Sequence, residues 1–360
     1  MKVTTVLAFA ASVSLTTAQQ AQQIHLGFNS GATTDSRKVK KQADFEKEFQ
    51  TAQKLRGSPG LFNSVRLYTN VQPDTKDTPI EAFPAAVKTN TRLLLGIWAS
   101  HTTTIENELS ALTKAINQYG KNFTDLVVGI SVGSEDLYRV SESGIRNQAG
   151  SGQNARTIVR FINETRTMLN GTALRSIPVG HVDSWSAWAN VSNRDVIQAV
   201  DFLGTNLFPY FEDDKGNDFS NASTIFDFAL NATESAAGNK EVWITETGWP
   251  VTGPDFGAAK ATQQNAKGYW DNVGCKLFGR RNVWWYILQD ANPDNKAKFA
   301  VSKDLTTTPQ YNLSCPANSG APATINNENT PSSGSAVGFS AMNMVAVGLS
   351  MVFAVASWAV

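Results

Sequence analysis

Short apolar runs alternate with amphipathic segments between residue 24 and about residue 315. The runs occupy 24–29, 64–68, 92–99, 126–135, 177–185, 202–210, 241–249 and 283–290. The segments between them, such as 42–55 and 105–120, place apolar residues three and four positions apart, which predicts helices packed on a sheet. Strand and helix therefore alternate eight times, and the fold class is predicted to be α/β, a single (β/α)8 TIM barrel. An open doubly wound sheet is the alternative, but no strand is followed by a GxGxxG loop.

The N-terminus carries an export pattern. Residues 1–18 have one early lysine, an apolar centre and small residues at Thr16 and Ala18, which predicts a secretory signal peptide cleaved after Ala18. The barrel domain, 19–315, is then expected to be secreted. Candidate N-glycosylation sites that fit this compartment are Asn122, Asn163, Asn170, Asn190, Asn221, Asn231 and Asn312.

The C-terminus carries a second targeting pattern. No charged residue occurs from Asn329 to Val360, and the apolar run 342–360 ends with the chain. A transmembrane helix is one interpretation. Because no basic cluster follows the run, a glycosylphosphatidylinositol (GPI) signal over 336–360, removed on anchoring, is favoured. Attachment is expected at Ser333 or Gly334, within a polar segment (316–335) that predicts a flexible linker.

Charge and cysteine content limit the partners. Lys plus Arg and Asp plus Glu both number 31, and no basic run occurs, so neither nucleic acid nor an anionic lipid surface is an expected partner. A neutral substrate and a monomeric protein are expected.

Cys275 and Cys315 predict one disulfide at the end of the domain. The three histidines lack metal-ligand spacing, so no metal and no cofactor are expected.

Two apolar strands end on a carboxylate flanked by glycine and aromatic residues. "LVVGISVGSEDLYR" contains Glu135, and "EVWITETGWP" contains Glu246. An ionised group buried without a partner costs several kcal/mol, so two such placements need a reason. A pair of carboxylates facing one site is what glycoside hydrolysis requires. Each glutamate alone could instead belong to an ion pair, with Arg139 as the partner of Glu135.

The predicted strand ends are rich in polar and aromatic residues, and active sites of such barrels lie at the carboxyl ends of the strands. Sugars present hydroxyls and flat C–H faces, which suits this composition, although each aromatic alone could be a core residue. Trp243 and Trp284 lie inside strands and are predicted to pack in the core. The predicted substrate-binding residues are Tyr68, Ser134, Asp183, Trp185, Asn206, Tyr210, Trp249 and Trp285.

The motifs resemble those of glycoside hydrolase family seventeen. "TETGWP" (245–250) is the specific one, and "GSE" (133–135), "RLY" (66–68) and "TNLFPYF" (205–211) support it. The resemblance runs from Ile24 to Cys315 and implies a retaining endo-β-1,3-glucanase, with Glu246 as the nucleophile and Glu135 as the proton donor. Related barrel glycosidases often carry asparagine before the acid, whereas this chain has Ser134.

The resemblance also implies the setting and the alternatives. The expected partner is cell-wall β-1,3-glucan, and the expected locations are the extracellular face of the plasma membrane, through a GPI anchor, the cell wall and the medium. Transfer of the glycosyl group to a second glucan chain would make the enzyme a wall remodeller. A catalytically weak or inactive glucan-binding wall protein is the alternative from another class, although both glutamates are present.

Overall fold

The computed structural model describes residues 23–324. The predicted signal peptide, the GPI signal and the candidate attachment residues Ser333 and Gly334 lie outside this range. Within it, no helix is both long and apolar enough to cross a bilayer.

Eight parallel strands close into a barrel in sequence order, β1 pairing with β8, so the predicted TIM barrel is confirmed. The strands end earlier than several of the apolar runs, because their last residues turn into loops over the barrel. The strands are β1 (Leu26–Ser30), β2 (Ser64–Leu67), β3 (Arg92–Ile97), β4 (Val127–Ser134), β5 (Val179–Ser184), β6 (Phe202–Leu207), β7 (Glu241–Thr247) and β8 (Val283–Trp285).

Helices surround the barrel, and the two predicted from apolar spacing form at the expected places. In the first of them, Phe45 and Phe49 lie one turn apart and are both buried against the sheet. The helices are α1 (Gln42–Gln53), α2 (Ala82–Thr89), α3 (Glu106–Tyr119), α4 (Lys121–Thr124), α5 (Asp136–Arg139), α6 (Glu142–Arg146), α7 (Ala155–Leu169), α8 (Trp185–Ala189), α9 (Arg194–Ala199), α10 (Ala222–Ala237), α11 (Gln263–Tyr269) and α12 (Cys275–Leu277).

Large side chains fill the barrel interior beneath the strand ends. Trp243 and Trp284 pack there with Leu94 and Phe202, and the rings of Phe202 and Trp243 stack with centroids 3.7 Å apart. The prediction that both tryptophans are core residues is confirmed. This layer supports the polar side chains above it.

The C-terminal part of the described chain is fixed to the N-terminal end of the barrel. The predicted disulfide between Cys275 and Cys315 is present, and a loop of this length is worth about 4 kcal/mol in the chain-entropy model. Beyond it, the backbone N–H of Gly60 donates to Ala323, and Pro59 bridges to Thr324. Residues 323 and 324 of the predicted linker therefore pack beside the loop before β2, opposite the strand carboxyl ends, and its residues 325–335 lie outside the described range.

Six of the seven sequon asparagines have exposed side chains. The exception is Asn221, which is half-buried and whose Nδ2 donates to the carbonyls of Lys215 and Gly216. Glycan attachment at the seven sites remains a prediction.

Candidate active site

Glu246 lies near the end of β7 and is 7% exposed. Its Oε1 accepts hydrogen bonds from Nη1 of Arg66 at 2.5 Å and from the hydroxyl of Tyr68 at 3.0 Å. Burial raises the pKa of Glu246 above its ordinary value, and the Glu135 charge adds to this, although the Arg66 guanidinium and the two hydrogen bonds act in the opposite direction. The carboxylate is thus held in a fixed orientation by two donors.

Arg66, which is not among the residues predicted from the sequence, is the cation at the centre of this site. It is 1% exposed, and besides Glu246 its guanidinium donates to Oδ1 of Asn29 and to Oγ of Ser134. The alternation along β2, continued one residue beyond its end, places Arg66 and Tyr68 on one face, toward the barrel axis. The sequence does contain a signal for Arg66, because it is a charged residue inside an otherwise apolar strand. A charge buried in this way needs a partner.

Glu135 follows β4 in a left-handed backbone conformation, with φ of 59°. Gly133 makes this turn possible: its own φ is +83°, and a Cβ there would lie 2.5 Å from Asp136 Oδ2. Oε1 of Glu135 accepts from Nδ2 of Asn206 at 3.0 Å, and Asn206 is the register partner of Glu246 across β6 and β7. Asn206 therefore lies between the two glutamates: its side chain binds Glu135, and its backbone is beside that of Glu246 in the sheet.

Arg139 is only a distant partner of Glu135. Its Nη2 lies 3.7 Å from Oε2 of Glu135, whereas its other nitrogens donate to the carbonyls of Ala149 and Ser134 and to the hydroxyl of Ser100 at 2.6–3.1 Å. The interpretation of Glu135 as an ordinary ion-pair residue is weakened accordingly.

Both glutamates line one cleft of about 560 Å³ at the carboxyl ends of the strands. Four of the predicted substrate-binding residues, Tyr68, Ser134, Trp185 and Asn206, also line it. Trp185 is fixed by a hydrogen bond from its Nε1 to Oε1 of Glu212 at 2.6 Å.

The other four predicted substrate-binding residues do not line the cleft. Asp183, Tyr210, Trp249 and Trp285 are each at most 1% exposed. Nε1 of Trp249 donates to the Lys260 carbonyl and the Tyr210 hydroxyl donates to the Pro254 carbonyl, so these polar groups are used inside the protein. Trp285 lies against Trp270 in the layer between strands and helices.

Several cleft residues were not selected from the sequence. Tyr286 is the clearest, because the alternation of side chains after β8 turns Trp285 outward and Tyr286 inward. Burial and the charges of Glu246, Asp290 and Glu135 raise the pKa of Tyr286. The others include Trp98, Tyr138, Phe208, Phe211, Glu212, Lys215, Asn292, Asn295 and Phe299.

Among residues 23–324 no group of three or more His, Cys, Asp or Glu side chains is arranged to hold a metal ion. The chemistry that this cleft offers is that of two carboxylates with an adjacent guanidinium, phenols and an amide.

Comparison with known proteins identifies the family of the chain. A family model for the BtgE/BtgC glycoside hydrolase domain matches residues 27–303. The chain is 52% identical over 317 residues to the probable glucan endo-1,3-beta-glucosidase eglC of Aspergillus oryzae, covering 88% of this chain and 67% of that protein. It is 51% identical over 312 residues to the protein of the same name from Aspergillus fumigatus strain Af293, covering 86% of this chain and 69% of that protein.

Solved structures share the fold. A glycoside hydrolase family 17 beta-1,3-glucanosyltransferase from Rhizomucor miehei superposes with a TM-score of 0.62 at 23% identity, covering 79% of this chain and 98% of that one. A beta-1,3-glucanase and pollen allergen of Cryptomeria japonica gives a TM-score of 0.58 at 15% identity, covering 82% and 100%. The family match and the Aspergillus relatives confirm the resemblance drawn from the motifs, and the chain belongs to the BtgE/BtgC family of glycoside hydrolases.

Proposed function

We propose that the protein is a retaining endo-β-1,3-glucanase that hydrolyses cell-wall β-glucan and also transfers glycosyl groups to a second glucan chain. The observation that supports it best is the connection of Glu135 and Glu246 through Asn206 within one cleft. The substrate comes from the relatives, which are named for glucan endo-1,3-beta-glucosidase and beta-1,3-glucanosyltransferase activity.

The proposed reaction has two steps. Glu246 attacks the anomeric carbon while Glu135 gives its proton to the departing glycosidic oxygen, which forms a glycosyl ester on Glu246. Glu135 then takes a proton from water, or from a hydroxyl of another glucan chain, as that oxygen displaces Glu246. Arg66 and Tyr68 both bind Oε1 of Glu246, so Oε2 is the atom proposed to attack. A retaining enzyme should hold its carboxyl groups about 5–5.5 Å apart.

The experiment compares wild type with Glu246→Ala and Glu135→Ala on a laminari-oligosaccharide and on an aryl β-glucoside oligomer with a good leaving group. Glu246→Ala should abolish cleavage of both substrates while glucan binding persists. Glu135→Ala should still form the glycosyl ester from the aryl substrate, and azide should restore turnover with retained configuration. Glu106→Ala, at an exposed position of α3, is the matched control.

Two outcomes would count against the proposal. Unchanged cleavage by Glu246→Ala would contradict the assignment of the nucleophile. A wild type that binds glucan and cleaves neither substrate would favour the inactive glucan-binding protein.

We also propose that the protein is a monomer carried on the outer face of the plasma membrane by a GPI anchor, with some of it in the wall and the medium. The charge-free C-terminal run supports the anchor. Residues 321–324 pack at the N-terminal end of the barrel, so a tether following them would start opposite the cleft. A phosphatidylinositol-specific phospholipase should release the protein from membranes, and light scattering should give the monomer mass. Released protein that retains residues 351–360 would favour a transmembrane helix instead.

A further inference from the structure

We infer that His181, which lies outside the cleft, is a doubly protonated imidazolium that positions the proton donor Glu135 through Asp183. The inference rests on the proposed function, because it assigns a task to a buried charged cluster beside the acid of that reaction. The cluster consists of Asp136, Arg139, His181 and Asp183, each at least 95% buried. Of these side chains, Arg139 alone approaches the proton donor, at 3.7 Å from Oε2 of Glu135, and Asp136, His181 and Asp183 have no role in the reaction just described.

The ring of His181 has an acceptor at each nitrogen. Nδ1 lies 2.6 Å from the carbonyl oxygen of Val132, and Nε2 lies 2.9 Å from Oδ2 of Asp183. A neutral imidazole carries one N–H and could satisfy only one of these contacts, whereas an imidazolium donates to both. A carbonyl oxygen cannot donate in return, so the geometry at Nδ1 requires a proton there.

The surrounding charges favour the same state. Asp183 lies on β5 with His181, and Asp136 and Arg139 reach the site from α5. With His181 charged, two cations balance two carboxylates. Burial alone would lower the pKa of His181, but the hydrogen bond to Asp183 and the charges of Asp183 and Asp136 raise it above its ordinary value.

The cluster acts on Glu135 through the backbone. Oδ2 of Asp183 also accepts the N–H of Leu137 at 2.9 Å, and its Oδ1 accepts those of Tyr138 and Ser184 at 3.2 and 2.8 Å. Leu137 and Tyr138 lie in α5, the helix that begins directly after Glu135.

The residue between His181 and Asp183 holds Glu135 itself. The N–H of Glu135 donates to the carbonyl of Val182 at 2.8 Å. The His181 ring also lies against Gly133, where a Cβ would be 3.0 Å from its Cε1. His181 thus fixes the carboxylate that holds α5 and packs on the glycine that permits the left-handed turn.

The test exploits leaving-group dependence. An aryl glycoside with a good leaving group needs no protonation, whereas a laminari-oligosaccharide needs Glu135 in place. For His181→Gln we expect kcat/KM, which reports the glycosylation step, to fall about 100-fold on the oligosaccharide and less than about threefold on a 2,4-dinitrophenyl β-laminaribioside, since general acid catalysis contributes on this scale. His25→Gln is the matched control, since His25 lies before β1 at the other end of the barrel and its pKa is lowered to about 4 by burial and Arg92.

A second measurement does not depend on the variant folding. At pH 7 the ring nitrogens of His181 in the wild-type protein should both show the ¹⁵N shifts and bound protons of an imidazolium, while His25 should be neutral.

The outcomes separate the inference from the proposed function. Equal losses on the two substrates, no loss on either, or a neutral His181 ring would overturn the inference while leaving the enzyme assignment intact. A wild type that cleaves neither substrate would instead contradict the proposed function.

Discussion

Arg66 and Glu246 form a 2.5 Å ion pair across the mouth of the barrel, from strands β2 and β7. The side chains are 1% and 10% exposed, so the pair is nearly dry. Removing one partner of such a pair leaves an uncompensated buried charge, which costs about 3–5 kcal/mol. Arg66 therefore both orients the proposed nucleophile and permits it to be ionised in a buried position.

Replacing Arg66 by methionine should lower kcat/KM by at least about 100-fold, because ionised Glu246 would lose the cation that is paired with it. The fall should be accompanied by a shift of the acid limb of the pH profile to higher pH. Arg66→Lys keeps the charge but cannot reach Glu246, Asn29 and Ser134 together, so an intermediate loss is expected. Equal activity of the methionine and lysine variants would contradict this role.

The pH profile should also respond to Tyr68. The nucleophile must be ionised, and the pKa of Glu246 is raised by burial, so the acid limb of kcat/KM should lie above the ordinary glutamate value of 4.5. The hydrogen bond from Tyr68 lowers the pKa of Glu246, and Tyr68→Phe should therefore move the acid limb further toward neutral pH.

Tyr138→Phe is the control for this shift, because Tyr138 lines the same cleft while its hydroxyl accepts from Asn147. Its acid limb should stay at the wild-type position. An acid limb that is the same in all three proteins would show that Glu246 does not determine it.

Glu108 should make stability depend on pH. It is buried on α3 and accepts from the Thr69 hydroxyl and the Asn70 N–H, yet burial raises the pKa of Glu108 to about 7. A raised carboxyl pKa means that the folded state disfavours ionisation. The stabilising contribution of neutral Glu108 to the fold is thus fully present below its unfolded-state pKa, near 4.5. It is lost as the pH rises through the folded-state pKa of about 7.

When the pH is raised from 4 to 8, the free energy of unfolding of the wild-type protein should fall by about 3 kcal/mol relative to that of Glu108→Gln. Urea titrations at several pH values measure it. Glu106→Gln, exposed in the same helical turn, should run parallel to wild type. A Glu108→Gln difference that does not change with pH would mean that Glu108 remains ionised in the fold.

The barrel and both glutamates could be predicted because they follow from repeating patterns. Apolar runs of strand length, separated by helical spacing, determine the alternation, and a carboxylate at a strand end has few reasons to be there. The disulfide could be predicted because the chain has two cysteines, Cys275 and Cys315, and therefore one possible pairing.

The wall of the cleft could not be predicted in the same way, because the direction of a side chain depends on where each strand ends. After β8, a difference of one position separates buried Trp285 from Tyr286 in the cleft. Asp183 lies at a strand end as predicted, but backbone N–H groups of the neighbouring helix occupy its oxygens. Arg66 was missed because its partners come from β1, β4 and β7, which only closure of the barrel brings together.

Trp185 should control sugar binding on one side of the cleft. Glu212 fixes its indole N–H, and Nζ of Lys215 lies 4.8 Å from the ring centre while pairing with Glu212 at 2.9 Å. A fixed aromatic wall offers stacking to a sugar ring, so Trp185→Ala should raise KM for a laminari-oligosaccharide about tenfold, which corresponds to about 1.4 kcal/mol. The kcat on a short dinitrophenyl glycoside should change much less, because both glutamates stay in place. Glu212→Gln keeps the indole and should raise KM less than Trp185→Ala does. If KM stays constant while kcat falls on both substrates, Trp185 supports the catalytic centre and is not a sugar-binding surface.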